Sequence, residues 1–394
     1  MKKNKLWLFA ALFAAVVLVF TACGNNDDAT PEPEAPSEPI EIARPVPEPI
    51  DPVEPGDETV EVNVFLIAHS PAPASTLNDG SFNQGAQDGI LRFAAEFPGT
   101  THNFLQPHEA SDEARIDIIA DAVEAGANVI VLPGFHFENS LYVAQDLFPE
   151  TKFILLDASP RNPETDVVRI EANVAAIHYA EEQSGFLAGY AAVMEGYRTL
   201  GFLGGAAVPA VVRFGSGFVQ GAEFAAQSLG LAAGEVVIDY AYLGGFGPAP
   251  EHQTRAAGMF ATGTEVIFVA AGGAGLSVMA AAEAEGGSVI GVDVDQYHLS
   301  DTIVTSALKG LETSVFDLLV NFTQGNFPGG VAHRYDAMND GVGLAPASTS
   351  RLSVFTQEQY NAIFAELAAG NISVDATPDP DFIPATTLVT VNVQ

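Results

Sequence analysis

From about residue 60 onward, short runs of consecutive apolar residues alternate with longer stretches in which apolar positions recur every three to four residues. The short runs predict strands over 62–68, 129–132, 153–156, 199–202, 266–269, 289–292 and 303–306. The longer stretches predict helices over 83–96, 113–124, 180–193, 219–228, 276–284 and 312–324. Strands that are apolar at every position belong to parallel sheets covered by helices on both faces. The pattern therefore predicts an α/β fold of repeated βα units, a class that binders and enzymes share.

The chain before residue 60 reads differently. Lys2, Lys3 and Lys5 precede an unbroken apolar run from Leu6 to Phe20, followed by Thr21, Ala22 and Cys23, which is the layout of a secretion signal. The run is shorter than the roughly 20 apolar residues a permanent span needs. Cys23, the only cysteine, stands where cleavage after Ala22 makes it the first residue, as in a bacterial lipoprotein signal; an ordinary signal with an incidental cysteine is the alternative. Residues 24–58, rich in Pro, Glu and Asp, have too little to bury to offset their ordering entropy. They are expected to form an extended, solvated tether over 23–59.

Charge narrows the partners. A formal net charge of -35 disfavours nucleic acid, whose phosphates require clustered Lys and Arg. The sequence contains no Gly-x-x-x-x-Gly-Lys-Ser/Thr, no Gly-x-Ser-x-Gly and no His-Glu-x-x-His; Asp293-Val-Asp295 is too short for a calcium loop. Neither a cofactor nor a catalytic residue is called for.

The residues just past each predicted strand are more informative. Asp79 and Asn83 lie beyond the first, Gly134 follows Leu132, Asp157 follows Leu156, Gly204 and Gly205 follow Phe202, Gly272 and Gly273 follow Ala271, and Asp293 follows Val292. The carboxyl edge of an open parallel sheet is where ligands bind. Two such edges facing each other make a cleft.

At these residues the chain resembles the basic membrane protein family of substrate-binding lipoproteins. The matching segments are Leu77-Asn-Asp-Gly-Ser-Phe-Asn-Gln-Gly85, Pro133-Gly-Phe-His-Phe-Glu138, Phe153-Ile-Leu-Leu-Asp157, Glu181-Glu-Gln-Ser-Gly-Phe-Leu-Ala-Gly-Tyr190, Gly204-Gly-Ala-Ala-Val-Pro-Ala-Val-Val-Arg213, Gly291-Val-Asp-Val-Asp-Gln296 and Ser306-Ala-Leu-Lys309. The resemblance implies a type I periplasmic-binding-protein fold, with two doubly wound parallel-sheet lobes, a hinge and a ligand cleft. It implies one lobe of residues 60–172 plus 298–325 and another of 173–297 plus 326–394. It further implies a purine nucleoside ligand, an ABC permease and ATPase as partners, and attachment to the extracytoplasmic membrane face through Cys23.

Site residues are implied by the same resemblance, each beside a structural alternative. Asp293 matches the carboxylate that holds ribose hydroxyls, or it caps the next helix. Lys309 matches the lysine near the sugar, or it pairs with a nearby acid. Asp157 contacts sugar or base, or makes an Asx-type turn. Asn83 points an amide at the ligand while capping a helix, and Asp79 is a turn residue or a cleft-facing acid. Phe246, in a glycine-rich loop, is the favoured stacking ring, ahead of Phe135; Phe82 stacks or belongs to the core. Gly272 lets backbone approach a ligand, or simply packs strand to helix. Ser70-Pro-Ala-Pro-Ala74 lacks the aromatic the family carries there, which bears on the purine preference. Riboflavin-like compounds and simple sugars are the other ligands considered. A surface receptor using the same cleft, and more remotely a nucleoside hydrolase, are the other functions.

Overall fold

The computed structural model describes residues 61–72 and 75–394; the expected secretion signal, Cys23 and the expected acidic tether lie outside the described residues. The chain opens with β1 (Asn63–Ile67), α1 (Phe82–Glu96), β2 (Thr101–Leu105), α2 (Asp112–Glu124), β3 (Val129–Pro133), α3 (Glu138–Leu147), β4 (Lys152–Leu156) and β5 (Val174–Tyr179). It continues through α4 (Glu181–Glu195), β6 (Thr199–Gly204), α5 (Pro209–Leu229), β7 (Val236–Tyr242), α6 (Pro250–Ala261), β8 (Val266–Ala270), α7 (Gly275–Glu285), β9 (Ser288–Asp293) and β10 (Ile303–Lys309). Then come α8 (Leu311–Thr323), β11 (Val331–Tyr335), β12 (Val342–Leu344), α9 (Gln357–Ala368) and β13 (Val389–Val393).

Two sheets result. One has the order β11-β5-β4-β3-β1-β2 and is parallel throughout; the other has the order β12-β10-β9-β8-β6-β7-β13 and is parallel except for β12. The central strands β3 and β8 are buried at every position, as helices on both faces require. On α1, Ala86, Ile90 and Phe93 share one face and pack with Leu311, Val315 and Phe316 of α8.

The lobe boundaries implied by the resemblance need correction. β5, assigned to the second lobe, pairs with β4 and β11 in the first sheet. β10, assigned to the first, pairs with β9 and β12 in the second, and β11, assigned to the second, pairs with β5 in the first. The physical reason is ladder continuity: Val174 follows the loop after β4 directly onto that strand's free edge, and β9 and β10 are joined by a short segment without a helix. The chain passes between sheets at Ala180, at Gly310 and between Asp336 and Gly341.

One helix also starts earlier than its pattern suggested. α5 begins at Pro209, which suits a first helical position, rather than near residue 219. Its glycines hid the helix because they serve packing. A Cβ on Gly217 or Gly221 would lie 2.1 or 1.9 Å from the carbonyl oxygens of Glu182 and Phe186 in α4. Reciprocally, a Cβ on Gly185 or Gly189 of α4 would lie 2.1 or 2.0 Å from those of Phe214 and Phe218. The two backbones touch, which brings the start of α4 beside Arg213 of α5.

Glu223 of α5 anchors the last strand. Its carboxylate accepts from the Thr387 amide (3.1 Å), the Thr387 hydroxyl (2.5 Å) and the Val389 amide (2.9 Å). Burial by itself would raise this carboxyl, but these donors outweigh it and hold it down to about 2. The folded value lies below the ordinary 4.5, so this stabilisation is complete above that value and is lost as pH falls towards 2. Glu223→Gln is therefore expected to melt lower than wild type at pH 6, with the gap closing near pH 2, as thermal unfolding at the two pH values will show.

Candidate functional site

The carboxyl ends of both sheets converge on a cavity of about 460 Å³. His69 follows β1, Gly134 follows β3, and Asp157 follows β4; opposite them stand Gly272 after β8, Asp293 at the end of β9 and Lys309 at the end of β10. All nine residues singled out in the sequence line this one cavity.

Two aspartates hold unusual backbone. Asp157 and Asp293 have φ of 62° and 68°, the left-handed region that non-glycine residues seldom occupy and that costs on the order of 1 kcal/mol or more. Asp166 and Asp340 adopt the same region, which aspartate tolerates better than most residues. The Lys309 ammonium hydrogen-bonds Asp157 and lies 3.1 Å from a Glu181 oxygen. Its side chain is only 2% exposed. Burial disfavours the ammonium charge, yet Asp157, Glu181 and Asp293 together outweigh burial and keep Lys309 protonated well above its ordinary range. Burial pushes Asp157 and Asp293 upwards, more than Lys309 offsets. Asp293 also accepts from the Ser81 hydroxyl at 2.5 Å, a bond between the two sheets' segments, and Gln296 donates to the Gly80 carbonyl at 2.7 Å alongside it.

The helix-start residues divide their work. Asp79 is a cap: its carboxylate accepts from the amides of Ser81 (2.9 Å), Asn83 (3.0 Å) and Gln84 (3.1 Å). Burial raises it to about 6 despite those donors. Asn83 donates from Nδ2 to the Thr76 carbonyl (3.2 Å) and the Ser75 hydroxyl (3.3 Å). A carbonyl only accepts, so the amide cannot be turned round, and its Oδ1 is left as a buried acceptor with no partner. Asp157 Oδ1 is another.

The rings come from both sides. Phe82 lies under the Lys309 ammonium, 4.8 Å from Nζ to ring centroid, with Phe214 at 5.7 Å. Phe246 is seated by glycine: a Cβ on Gly205 would lie 2.4 Å from its ring, and its carbonyl accepts from the Ala274 amide at 2.8 Å in the turn that Gly272 opens. Phe135 stacks on His136 at 4.0 Å, and His136 on His69 at 4.2 Å with the rings 6° from coplanar. Burial, with the Arg115 charge nearby, lowers His69 to about 3 and His136 to about 4, so both are neutral near pH 7.

A family model for PnrA-like ABC transporter substrate-binding proteins, the Bmp family, matches residues 72–374. This chain belongs to that family. The ABC transporter nucleoside-binding protein BmpA of Lactococcus lactis subsp. cremoris is 30% identical to it over 306 residues, covering 72% of this chain and 82% of BmpA. The CD4+ T-cell-stimulating antigen of Listeria monocytogenes is 28% identical over 294 residues, covering 68% and 77%. Among solved structures, an ABC transporter solute-binding protein of Aeropyrum pernix K1 superposes with a TM-score of 0.62 at 26% identity, over 80% of this chain and 88% of that one. One from Conexibacter woesei, at 22% identity and a TM-score of 0.63 over 80% and 99%, shares the fold. The Bmp chain thus has the type I periplasmic-binding-protein architecture and is an ABC transporter substrate-binding protein.

Sequence reasoning missed several residues of this Bmp site. His69 and His136 follow strands just as Asp157 and Asp293 do; applying the strand-end rule to histidine would have found them. Ser81 sits inside a family-like segment, but its partner Asp293 is far away in sequence. Glu181 and Arg213 also lie in family-like segments, and nothing in the one-dimensional pattern connects them to Lys309.

Proposed function

We propose that this chain captures a purine nucleoside for an ABC importer, held at the extracytoplasmic face of the membrane by a lipid on Cys23. The observation that carries the ligand class is the meeting, in one cavity, of the buried acids Asp157 and Asp293 and the Lys309 ammonium with the rings of Phe82, Phe135 and Phe246. Carboxylates accept from vicinal hydroxyls, and aromatic faces stack on a flat base. The name of the Lactococcus relative, a nucleoside-binding protein, supports the same reading. The lobes are then 61–180 with 311–336, and 181–310 with 341–394, closing on the ligand about the three crossovers. The permease and ATPase would read the closed shape.

A thermal-shift screen of nucleosides, flavins and sugars tests this, because a ligand bound only by the native state raises its melting temperature. Inosine and guanosine are expected to shift it most, without release of free base; a larger shift by flavin or sugar, or turnover, refutes the assignment. Asp293→Ala is expected to weaken nucleoside binding by at least about 1 kcal/mol, the scale of a lost hydrogen bond to a charged group. Isothermal titration calorimetry measures it, and unchanged affinity in a folded variant would remove Asp293 from the site.

A further inference from the structure

Behind the cavity lies a buried set of charges that the ligand reading does not use. Glu181, first residue of α4, is fully buried and does not line the cavity. One of its oxygens accepts from Arg213 Nε at 2.7 Å; the other lies 3.1 Å from Lys309 Nζ. Next to it, Glu182 accepts from Arg334 of β11 at 2.5 Å. Arg213 is needed for this arrangement: burial alone would raise Glu181, but Arg213 and then Lys309 hold it down to about 2, as a full carboxylate.

The network sits where the chain changes sheets. Glu181 follows Ala180, whose amide donates to the Tyr335 carbonyl at 2.9 Å. Lys309 precedes Gly310, whose amide donates to the Gly341 carbonyl at 2.8 Å. Lys309 is therefore gripped from two directions, by Asp157 of the first sheet and by Glu181 of the second lobe's α4. The bond to Asp157 fixes one of the ammonium's three donors, and the charge of the Glu181 oxygen, which is buried without a hydrogen bond of its own, draws the ammonium to one side of that bond. Asp157 alone leaves the ammonium free to swivel.

We propose that Glu181 is a positioning residue: it aims the Lys309 ammonium into the cavity and thereby makes ligand affinity depend on the geometry of the crossovers. This rests on the nucleoside reading for its ligand, but not for the geometry of Lys309. Glu181 touches no ligand and acts only through Lys309.

Calorimetric titration with inosine decides the first part. Glu181→Gln keeps the shape and removes the charge; its dissociation constant is expected to rise about tenfold, as removing one close opposite charge loosens the ammonium's placement. The ¹⁵N signal of the Lys309 ammonium is also expected to move, which a purely structural role would not cause. Glu181→Asp keeps the charge and so keeps the fold if Gln does not, but withdraws the carboxylate by one methylene; a several-fold loss is expected. Wild-type affinity in either folded variant overturns the proposal. If inosine does not bind wild type, the nucleoside reading fails while the positioning role is still decided by ¹⁵N NMR of the lysine side chains, which beyond residue 60 are only Lys152 and Lys309. The Lys309 signal of the ligand-free protein is expected to shift in both Glu181→Gln and Glu181→Asp; signals coincident with wild type refute it.

Discussion

Lys309→Met is expected to lower the stability of the chain by about 3–5 kcal/mol, the cost of breaking a buried ion pair by removing one partner. The side chains that depend on Lys309 are themselves enclosed: Asp157 is 11% exposed and Glu181 0%. Methionine fills the space of the lysine stem, so the loss comes from two carboxylates deprived of a cation rather than from a hole. Arg213 still compensates Glu181, whereas Asp157 has no other basic partner among the described residues. Urea titration at pH 7 measures the effect as a lowered midpoint with an unchanged slope. The pH dependence gives a second check. With Lys309 gone, the folded-state value of Asp157 rises further above its unfolded one, so protonation favours the folded variant. Asp157 is already pushed up to about 7 with Lys309 present, so the gap to wild type should narrow as pH falls towards 7 from the alkaline side and change little below it. A midpoint equal to wild type at pH 7 would show that the ion pair carries no stability.

Gly221→Ala is expected to cost about 3 kcal/mol, the upper part of the range for overpacking. The added methyl would lie 1.9 Å from the Phe186 carbonyl oxygen, and the obstacle is backbone, so no rotamer change relieves it. α4 and α5 must separate, and Glu181 and Arg213, at the same end of that pair, must move with them. Inosine affinity is therefore expected to fall along with the melting temperature. Gly258→Ala in α6 is the control, since a Cβ there meets nothing within 4 Å. Alanine is the better helix former, so that variant should be as stable as wild type or more so by about 0.5–1 kcal/mol. Equal effects at the two glycines would mean that the close approach of α4 and α5 is not what Gly221 provides.

The glycines of α5 also show how a sequence can mislead. Gly215 and Gly217 lower helix propensity, so the pattern predicted only the later half of that helix, yet with Gly221 they are the residues that allow it to pack. The edge strands were missed for a related reason. β2 is exposed or half-buried along its length, and β13 is exposed at most positions, so neither has the continuous apolar run that marks β3 or β8.

Strand identity at the centre of each sheet, the βα alternation and the placement of polar residues at strand tips are written locally, because burial on two faces leaves its mark on consecutive side chains. That local record pointed to Asp157, Asp293 and Asn83, whereas Lys309 and the phenylalanines were nominated through the family resemblance. Which sheet β5 and β10 join depends instead on which free strand edge each finds, a matter of pairing between segments that no run of residues encodes. The same holds for Glu181 and Arg213 around Lys309 and for Ser81 on Asp293: charges and hydroxyls distant in sequence acquire partners only when helices pack closely enough to exclude water, and that exclusion gives those contacts their strength.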